Sequence, residues 1–279
     1  MTSRPLAAPR PDSADSFRVP APSTWSFLLK TLAVVAMDLR KLRRDPTELL
    51  TRAIQPALWL LVFGQVFTHA RAIPTGDLPY QDFMAPGILA QSVLFIAIFY
   101  GISVIWERDL GIVHKLLVTP TPRAALVLGK GLSAGCRALS QAFIIYFLAW
   151  LLGVKLDWRP QAVAAVLIAV VLGAALFSTF SLIIACLVKT RERFMGIGQV
   201  LTMPMFFASN AIYPLAMMPS WLRAVAWGNP LTYEVDALRA LMLVDGISEF
   251  GLAVDFFVMV GTTGILTIVG AWFYPRLAQ

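Results

Sequence analysis

The stretch PQAVAAVLIAVVLGAALFSTFSLIIACLV, residues 160–188, contains no charged side chain from its first residue to its last. An α-helix rises roughly 1.5 Å per residue, so about 20 apolar residues cross the ~30 Å hydrocarbon core of a bilayer. Pro160 suits the first turn of a helix, where its missing N–H leaves no hydrogen bond unmade. The stretch therefore predicts a helix that spans a membrane.

The composition extends this prediction to the whole chain. Of its 279 residues, 58% are hydrophobic and 14% are charged, and its mean hydropathy is +0.73. A soluble domain carries roughly 25% charged residues, so this chain has too little polar surface to cover a soluble fold. The bilayer must be its main solvent, and we predict an all-α integral membrane protein.

Apolar runs of comparable length recur along the chain, with capping residues and prolines at several of their starts. Asp45-Pro46-Thr47-Glu48 is typical of a capping box that begins a helix, and Thr121-Pro122 marks a second start. We predict a transmembrane domain over 49–279 with six spans. They lie at about 50–67, 83–106, 124–152, 160–188, 194–213 and 252–274.

Two segments precede the first span. Residues 1–24 are rich in Pro, Ala, Ser and Arg and contain no apolar run, so we expect a disordered cytoplasmic tail and no signal peptide. Residues 25–48 place apolar side chains at helical spacing but are interrupted by charges such as Lys30 and Asp38. Charges near the middle of a span cost about 2.5–3.5 kcal/mol each. This pattern therefore indicates an amphipathic helix in the membrane interface that leads into the first span.

Basic side chains indicate the orientation. One set of loops and span ends holds Arg40, Lys41, Arg43, Arg44, Arg52, Arg108, Lys115, Arg123, Lys130, Lys189, Arg191, Arg193 and Arg276, and the other holds Arg71, Lys155, Arg159, Arg223 and Arg239. Because cytoplasmic loops carry the excess of Lys and Arg, we predict a plasma (inner) membrane protein with both termini in the cytoplasm. The formal net charge of +7 reflects this bias, and we expect no nucleic-acid partner.

Two connecting segments combine charge with helical periodicity. Residues 106–123 mix charges with regularly spaced Leu and Val side chains, which predicts a short amphipathic helix that docks a cytoplasmic partner or only connects two spans. Thr119-Pro120 would end this helix. Residues 211–244 contain Asn229-Pro230, a cap followed by a proline, but are too polar to span a membrane. We predict an outer-face helix or a plain external loop there.

The sequence contains no recognisable catalytic or metal-binding motif. The nearest approach to a phosphate-binding loop, Gly129-Lys130-Gly131, lacks the required spacing and the hydroxyl residue that binds magnesium. Cys136 and Cys186 lie in apolar stretches and are expected to be inert thiols. We therefore predict a chain that is not an enzyme and holds no metal or cofactor, so uphill transport would need energy from a partner.

Polar and aromatic residues within the spans are candidates for a substrate path. Arg137 lies several residues into the third span, where an ionisable side chain marks a path or snorkels to the interface. Gln199, Phe206 and Asn210 in the fifth span are equally open to a packing role. Acidic residues are almost confined to loops and span ends, which argues against an ion-coupled carrier.

Four motifs, in this order, resemble the type-2 permease family of ATP-binding-cassette exporters, which includes daunorubicin-resistance, nodulation-factor and polysaccharide export permeases. The motifs are Ala85-Pro86-Gly87-Ile88, Glu107-Arg108-x-x-Gly111…Leu116-Leu117-x-Thr119-Pro120, Tyr213-Pro214…Pro219-x-Trp221-Leu222 and Asn229-Pro230-Leu231-Thr232-Tyr233…Arg239. The resemblance covers nearly the whole chain after about Trp25. One departure, at Asp109 and at Ile112 to Lys115, replaces a more acidic stretch of many relatives and bears on partner specificity.

The resemblance implies a half-transporter. Two six-helix permeases, identical or homologous, would join two cytoplasmic ATP-binding subunits that carry ATP and Mg²⁺. The resemblance assigns ATPase coupling to Glu107, Arg108, Gly111, Leu116, Leu117, Thr119 and Pro120. It assigns an external gate of re-entrant helices, placed before the last span, to Pro214, Trp221, Asn229, Pro230, Tyr233 and Arg239.

The coupling segment has expected roles residue by residue. Glu107 and Arg108 would anchor the link through charged hydrogen bonds, and Gly111 would allow close backbone approach. Leu116 and Leu117 would fill an apolar pocket of the ATPase, as interface anchors do.

The function implied is ATP-driven export of an amphipathic, drug-like or lipid-linked substrate. Export of a polysaccharide or glycolipid is the alternative within transport, since Phe206, Phe207, Asn210 and Tyr213 are suggestive of an aromatic and polar channel. A channel or secondary carrier that works without ATP is an alternative of a different class.

Overall fold

The computed structural model describes residues 24–42, 54–70, 73–75, 78–119, 121–188 and 190–278. The predicted disordered tail before Thr24 and the predicted capping box at 45–48 lie outside these ranges, as does Pro120 of the predicted coupling segment.

Helices make up most of this part of the chain. They are α1 (Thr24–Leu42), α2 (54–70, with a π-helical turn at Trp59–Phe63 and its last part at Gly64–Ala70), α3 (Tyr80–Asp109), α4 (Ile112–Val118), α5 (Arg123–Leu151), α6 (Pro160–Leu187), α7 (Arg191–Phe207), α8 (Ser220–Gly228), α9 (Pro230–Met242) and α10 (Leu252–Phe273). Short 3₁₀ turns lie at Leu215–Met217 and Tyr274–Ala278. Within these ranges the one β pairing is an isolated bridge between Leu156 and Leu243. The all-α class is therefore the one observed.

Four helices in the described ranges are long and apolar enough to cross a membrane: Tyr80–Asp109, Arg123–Leu151, Pro160–Leu187 and Leu252–Leu277. Their bounds lie close to those of the predicted second, third, fourth and sixth spans. Each begins where the sequence supplies a start signal, such as Pro160 in the first turn of α6. The chain is thus a multi-pass membrane protein.

The described parts of the predicted first and fifth spans are helical. α2 is described from residue 54, and α7 ends at Phe207 rather than at 213. Asn229 caps the end of α7, because its Nδ2 donates to the carbonyl oxygens of Met205 at 2.7 Å and Ala208 at 3.1 Å. These carbonyls would otherwise be unpaired at the helix terminus.

Helix α3 lies at the centre of the bundle. In its most apolar window 78% of the residues are buried, compared with 17% in α10, so α10 presents most of its surface to lipid or to another chain. Gly87 of α3 permits a close approach, because a Cβ there would lie 2.2 Å from the carbonyl oxygen of Ala211. The backbone after α7 is thereby packed directly on α3.

The two ends of the bundle are built differently. At the end that we call the α4 end, α1, α4 and the turn Tyr274–Ala278 surround one hydrophobic cluster, which includes Val113 and Phe194. At the opposite end, which we call the α9 end, α9 lies beside the start of α3 and the loop between α5 and α6, and α8 packs in a separate small cluster with Leu215 and Met218. The two connecting segments that combine charge with helical periodicity, 106–123 and 211–244, therefore lie at opposite ends of the bundle.

Candidate functional site

The α4 end begins with a sharp change of direction after α3. Gly111 separates α3 from α4 and has a φ of 69°, in the left-handed region that favours glycine. Among the described residues nothing lies within 4 Å of a Cβ placed on Gly111, so this glycine is needed for its backbone conformation rather than for a close approach. Thr119 ends α4, and its Oγ1 donates to the carbonyl oxygen of Leu116 at 2.6 Å.

A buried ionic cluster lies directly beneath this link. Lys130 Nζ of α5 lies 3.0 Å from Asp38 Oδ2 of α1 and 2.8 Å from Glu107 Oε1 of α3. The three residues are 2%, 3% and 4% exposed, respectively. Tyr100 OH also donates to Asp38 Oδ2, at 2.5 Å. Because buried charges must be paired and hydrogen-bonded to be tolerated, this ionic cluster joins three helices at one point.

The glycines on either side of Lys130 allow two other helices to pack closely against α5. A Cβ on Gly129 would lie 2.8 Å from Val34 Cβ of α1, and a Cβ on Gly131 would lie 3.2 Å from Thr179 Oγ1 of α6. The absence of both side chains lets α1 and α6 approach opposite sides of α5. The sequence Gly129-Lys130-Gly131 is therefore a packing element inside a helix.

Sequence reasoning missed the ionic cluster, although a local signal for it exists. Thr31, Val34 and Asp38 are all buried and follow helical spacing on one face of α1. The opposite face of α1 exposes large apolar side chains, including Trp25 and Leu32. A carboxylate on the buried face of such a helix requires a cation opposite it, and Lys130 within an apolar stretch is the corresponding signal.

The predicted anchors of the link differ in where they lie. Glu107 turns inward to the ionic cluster, whereas Arg108 donates to the carbonyl oxygen of Val188 at 3.2 Å and pairs with Asp109 at 3.1 Å. Arg191 of α7 pairs with Asp109 at 2.7 Å. These contacts tie the ends of α3 and α6 to the start of α7. The two exposed pairs contribute little stability, about 0–1 kcal/mol each.

The apolar residues of the coupling segment fall into two groups. Leu116 and Leu117 are half-buried and pack against the hydrophobic cluster of the α4 end. Leu110 and Val118, at either end of α4, are 67% and 87% exposed. The exposed apolar surface at α4 is therefore formed by Leu110 and Val118 more than by the two predicted leucines.

The predicted gate residues lie at the α9 end, in different environments. Asn229 caps α9, accepting from Leu231 N at 3.1 Å while its amide holds the end of α7, and Pro230 occupies the first turn of α9. Tyr233 OH donates to the carbonyl oxygen of Trp227 at 2.8 Å. Trp221 is exposed on α8. α8 and α9 are thus two short helices fastened to the end of α7.

Arg239 and Pro214, the remaining gate residues, line one cavity at the α9 end. Arg239 is buried, its Nη2 donates to the carbonyl oxygen of Asn210 at 2.7 Å, and its guanidinium carbon lies 3.9 Å from the centre of the Phe83 ring. The cavity therefore contacts α9, the segment before α8 and the start of α3.

Between α2, α3 and α7 lies a cavity of about 420 Å³, which we call the glutamine cavity. Its lining residues in the described ranges are uncharged: Gln55, Pro56, Gln91, Ser92, Phe95, Ile96, Phe99, Met195, Gln199 and Met203. Gln91 is 2% exposed, and neither its amide oxygen nor its amide nitrogen has a hydrogen-bond partner there. Buried amides are normally paired, so Gln91 is an exception among the polar side chains of the described ranges.

The structure does not bring the four predicted path residues together. Gln199 lines the glutamine cavity, but Phe206 is fully buried with its ring 6.1 Å from that of Trp59. Asn210 is buried at the α9 end. Arg137 lies over the ring of Tyr100, at 5.2 Å.

The described residues contain no group of three or more His, Cys, Asp or Glu side chains that could hold a metal ion. Cys136 and Cys186 are not joined to each other. The buried acidic residues of the described ranges are those of the ionic cluster and of the α9 end. At the α9 end, Asp236 and Asp255 lie side by side, each within hydrogen-bond distance of Ser248 Oγ, at 2.7 Å and 3.0 Å.

Comparison with known proteins gives a consistent group of relatives. A protein designated as a transport permease, ycf38 of Cyanophora paradoxa, is 29% identical over 223 residues, covering 78% of this chain and 76% of the relative. The daunorubicin resistance ABC transporter permease protein DrrB1 of Streptomyces coeruleorubidus is 25% identical over 222 residues, or 79% and 77% of the two chains. The probable multidrug ABC transporter permease YbhR of Escherichia coli K12 is 28% identical over 172 residues, or 61% and 46%.

The family match covers most of the chain and spans both ends of the bundle. The model of the ABC-2 type transporter family matches residues 30–243, from α1 to the end of α9. This range includes the ionic cluster, α4, the glutamine cavity, α8 and α9. The chain therefore belongs to the ABC-2 type transporter family, as a permease, the non-catalytic membrane subunit of an ABC transporter.

Proposed function

We propose that this chain is the permease of an ATP-driven exporter whose substrate is amphipathic and drug-like or lipid-linked. Two cytoplasmic ATP-binding subunits, which carry ATP and Mg²⁺, would supply the energy, and a second permease, identical or homologous, would complete the transporter. Support comes from relatives named for daunorubicin resistance and multidrug transport. Both termini and α4 lie on the cytoplasmic side of the inner membrane in this proposal, as the distribution of Lys and Arg favours.

The observation that carries the proposal is the way α4 is mounted. It is a short helix flanked by two exposed apolar side chains, Leu110 in the turn before it and Val118 at its end, which a docked partner would cover. Its base is fixed by the ionic cluster, in which Glu107 lies four residues before the turn at Gly111. Because its outer side is exposed and its base is held by the ionic cluster, α4 is suited to transmit the movement of a bound partner to the helix bundle.

The route of transmission follows from the contacts. Movement of the ATP-binding subunits would displace α4, and the paired Glu107 and Lys130 would carry this displacement from α3 to α5. Asp38 would carry it to α1. The helices α3 and α7, which border the glutamine cavity, would then move relative to each other.

The glutamine cavity supports the proposed substrate class. Phe95, Phe99 and Met203 offer apolar and aromatic surface, and Gln91 offers an unpaired donor and acceptor. Ligand sites of this kind combine an apolar lining with a few polar groups that set orientation. A flat, mostly apolar molecule with hydrogen-bonding groups fits this lining better than a long, highly hydroxylated glycan does.

The proposal can be tested at the exposed ends of α4. Leu110→Asp and Val118→Asp place charge on side chains that make few contacts within this chain, so the fold should persist. We expect each variant purified in mild detergent to lose a co-purifying ATPase and to lose ATP-driven efflux of an amphipathic dye from cells. Val244→Asp, at a similarly exposed valine of the α9 end, is the matched control and should retain both.

Two results would contradict the proposal. One is a Leu110→Asp and Val118→Asp double variant that keeps the ATPase and normal efflux. The other is dye transport by the purified chain alone in liposomes without ATP, which would favour a channel or secondary carrier.

A further inference from the structure

A second cavity, of about 590 Å³, opens at the α9 end of the bundle. The start of α3, the loop between α5 and α6, and α9 with the segment that follows it contribute to its lining. Unlike the glutamine cavity, it is lined by charges of both signs: Lys155 and Arg239 are cations, and Asp82, Asp245 and Glu249 are carboxylates. We call it the charged cavity.

Arg239 lines the charged cavity with a buried cationic side chain. The side chain is 6% exposed, and its Nη2 is engaged by the carbonyl oxygen of Asn210. Its Nε is buried and has no hydrogen-bond partner among the described residues. Such a donor is stabilised when an acceptor reaches it, most of all an anionic oxygen, since charge-assisted hydrogen bonds are the stronger ones.

Lys155 is an exposed second cation whose backbone is fixed. Val244 N donates to the carbonyl oxygen of Lys155 at 3.1 Å, and Asp157 N donates to that of Met242 at 2.9 Å. These two hydrogen bonds flank the bridge between Leu156 and Leu243. The ammonium group of Lys155 is therefore tethered to a rigid wall of the charged cavity.

Three carboxylates and one apolar side chain of the lining restrict the charge and shape of a ligand further. Asp82 is buried, whereas Asp245 and Glu249 are exposed at the wall formed by the segment after α9. Ile247, between the two exposed carboxylates, is a largely exposed apolar side chain that also lines the cavity. A ligand with only a negative charge would be repelled by three carboxylates, and a ligand with only a positive charge would be repelled by two basic groups.

We propose that the charged cavity binds the zwitterionic headgroup of an amphiphile. Its phosphate or carboxylate lies at Arg239 and Lys155, its ammonium group lies at Asp245 and Glu249, and its apolar part leaves past Ile247. A bilayer phospholipid and an exported amphiphile share this chemistry. The proposal stands on the charged cavity alone and does not depend on the role of α4.

The test measures binding to the purified full-length chain in a maltoside detergent. The probe is dihexanoylphosphatidylcholine, a short-chain zwitterionic lipid, with a dihexanoyl lipid of phosphatidylglycerol as the anionic comparison and octyl glucoside as the neutral one. Affinities come from the ligand-dependent rise in Tm. We expect the zwitterionic probe to bind most tightly.

Substitutions then locate the site. Lys155→Gln should weaken binding of the zwitterionic probe about tenfold, the usual effect of removing one charged hydrogen bond. The double variant Asp245→Asn, Glu249→Gln should reduce the preference for the zwitterionic over the anionic lipid. Arg159→Gln is the matched control, because Arg159 belongs to the same loop, is paired with Asp157 at 2.6 Å and does not line the cavity. It should bind the probe as the wild type does.

Three results would overturn the proposal: no preference among the three probes, equal effects of Lys155→Gln and Arg159→Gln, or unchanged selectivity in the double carboxylate variant. The two sources of ligand are separated in proteoliposomes that contain a phospholipid with a photoreactive headgroup. Cross-linking to the segment 243–249 in the resting chain identifies a bilayer lipid. Cross-linking only during ATP-driven transport identifies the substrate, and its absence in both conditions counts against the proposal.

Discussion

Lys130 shows how a single side chain can hold several elements together. It lies within 3.0 Å of carboxylates from two other helices and is almost fully buried. Such a group contributes less through its net attraction than through the penalty that follows its removal, because the two buried carboxylates lose a cation that pairs with both. Its importance is therefore best measured by comparing single and combined substitutions.

Lys130→Met is expected to destabilise the chain by about 3–5 kcal/mol, the usual effect of removing one partner from a buried ion pair. The measurement is the Tm of the purified chain in detergent. The triple variant Asp38→Asn, Lys130→Met, Glu107→Gln removes the charges together and should recover much of the lost stability. A Lys130→Met variant as stable as the wild type would show that the ionic cluster is unimportant for folding.

Asn229 has two separable roles at the α9 end. Its amide nitrogen holds carbonyls of α7, and its oxygen accepts from Leu231 N. Asn229→Asp keeps the acceptor and loses the donors, whereas Asn229→Ala loses both. We expect Asn229→Ala to lower stability by about 1–2 kcal/mol and Asn229→Asp to lower it as well, since its charge faces carbonyl oxygens. If Asn229→Asp matches the wild type in Tm, the capping of α7 by the amide contributes nothing.

At the scale of elements, the close approach of α1 to α5 depends on one missing side chain. A Cβ on Gly129 would lie 2.8 Å from Val34 Cβ and 3.1 Å from the carbonyl oxygen of Thr31. The contact positions Asp38 opposite Lys130, so separation of the two helices would also weaken the ionic cluster. The amphipathic helix is in this sense part of the bundle and more than an appendage on the membrane surface.

Gly129→Ala should therefore destabilise the chain by about 1–3 kcal/mol, because the new methyl group overpacks the contact. The control is Gly196→Ala in α7, where nothing lies within 4 Å of the added Cβ. This control should be neutral or stabilising by about 0.5–1 kcal/mol, as alanine favours helices. Val34→Ala should rescue Gly129→Ala in a thermal unfolding assay. A rescue that fails would indicate that the strain lies elsewhere.

At the scale of the whole molecule, the two cavities differ in position and in charge, which indicates that they bind different groups. The glutamine cavity lies at the level of α2, α3 and α7 and is uncharged in the described ranges, whereas the charged cavity lies at the α9 end. A buried, unpaired amide in an apolar cavity is unfavourable for stability. Its presence is readily explained if a transported molecule supplies the missing hydrogen bonds.

Gln91→Leu is accordingly expected to leave Tm unchanged or raise it, while efflux of an amphipathic dye falls several-fold. Loss of one or two hydrogen bonds of about 0.5–1.5 kcal/mol each predicts a fall of this size. Gln65→Leu, at an exposed position of α2, should alter neither quantity. Unchanged efflux in Gln91→Leu would exclude the glutamine cavity from the substrate route and would leave the charged cavity unaffected.

Sequence alone determined the features that depend on neighbouring residues. The uncharged run 160–188 became α6, Thr121-Pro122 preceded α5, and Asn229-Pro230 began α9. Hydropathy and capping act within one or two turns of a helix, so these elements could be read directly. The family could also be recognised, because the motifs that carry it are short and follow in a constant order.

Only the tertiary structure decided which residues meet across the bundle. Lys130 lies 92 residues from Asp38 and 23 from Glu107 in sequence, and Asn229 caps the end of α7 from more than 20 residues away. The same is true of Gln91, whose unpaired amide becomes evident only when α2 and α7 are in place. A sequence pattern specifies which side of a helix is apolar, but the identity of the partner on that side depends on how the helices pack.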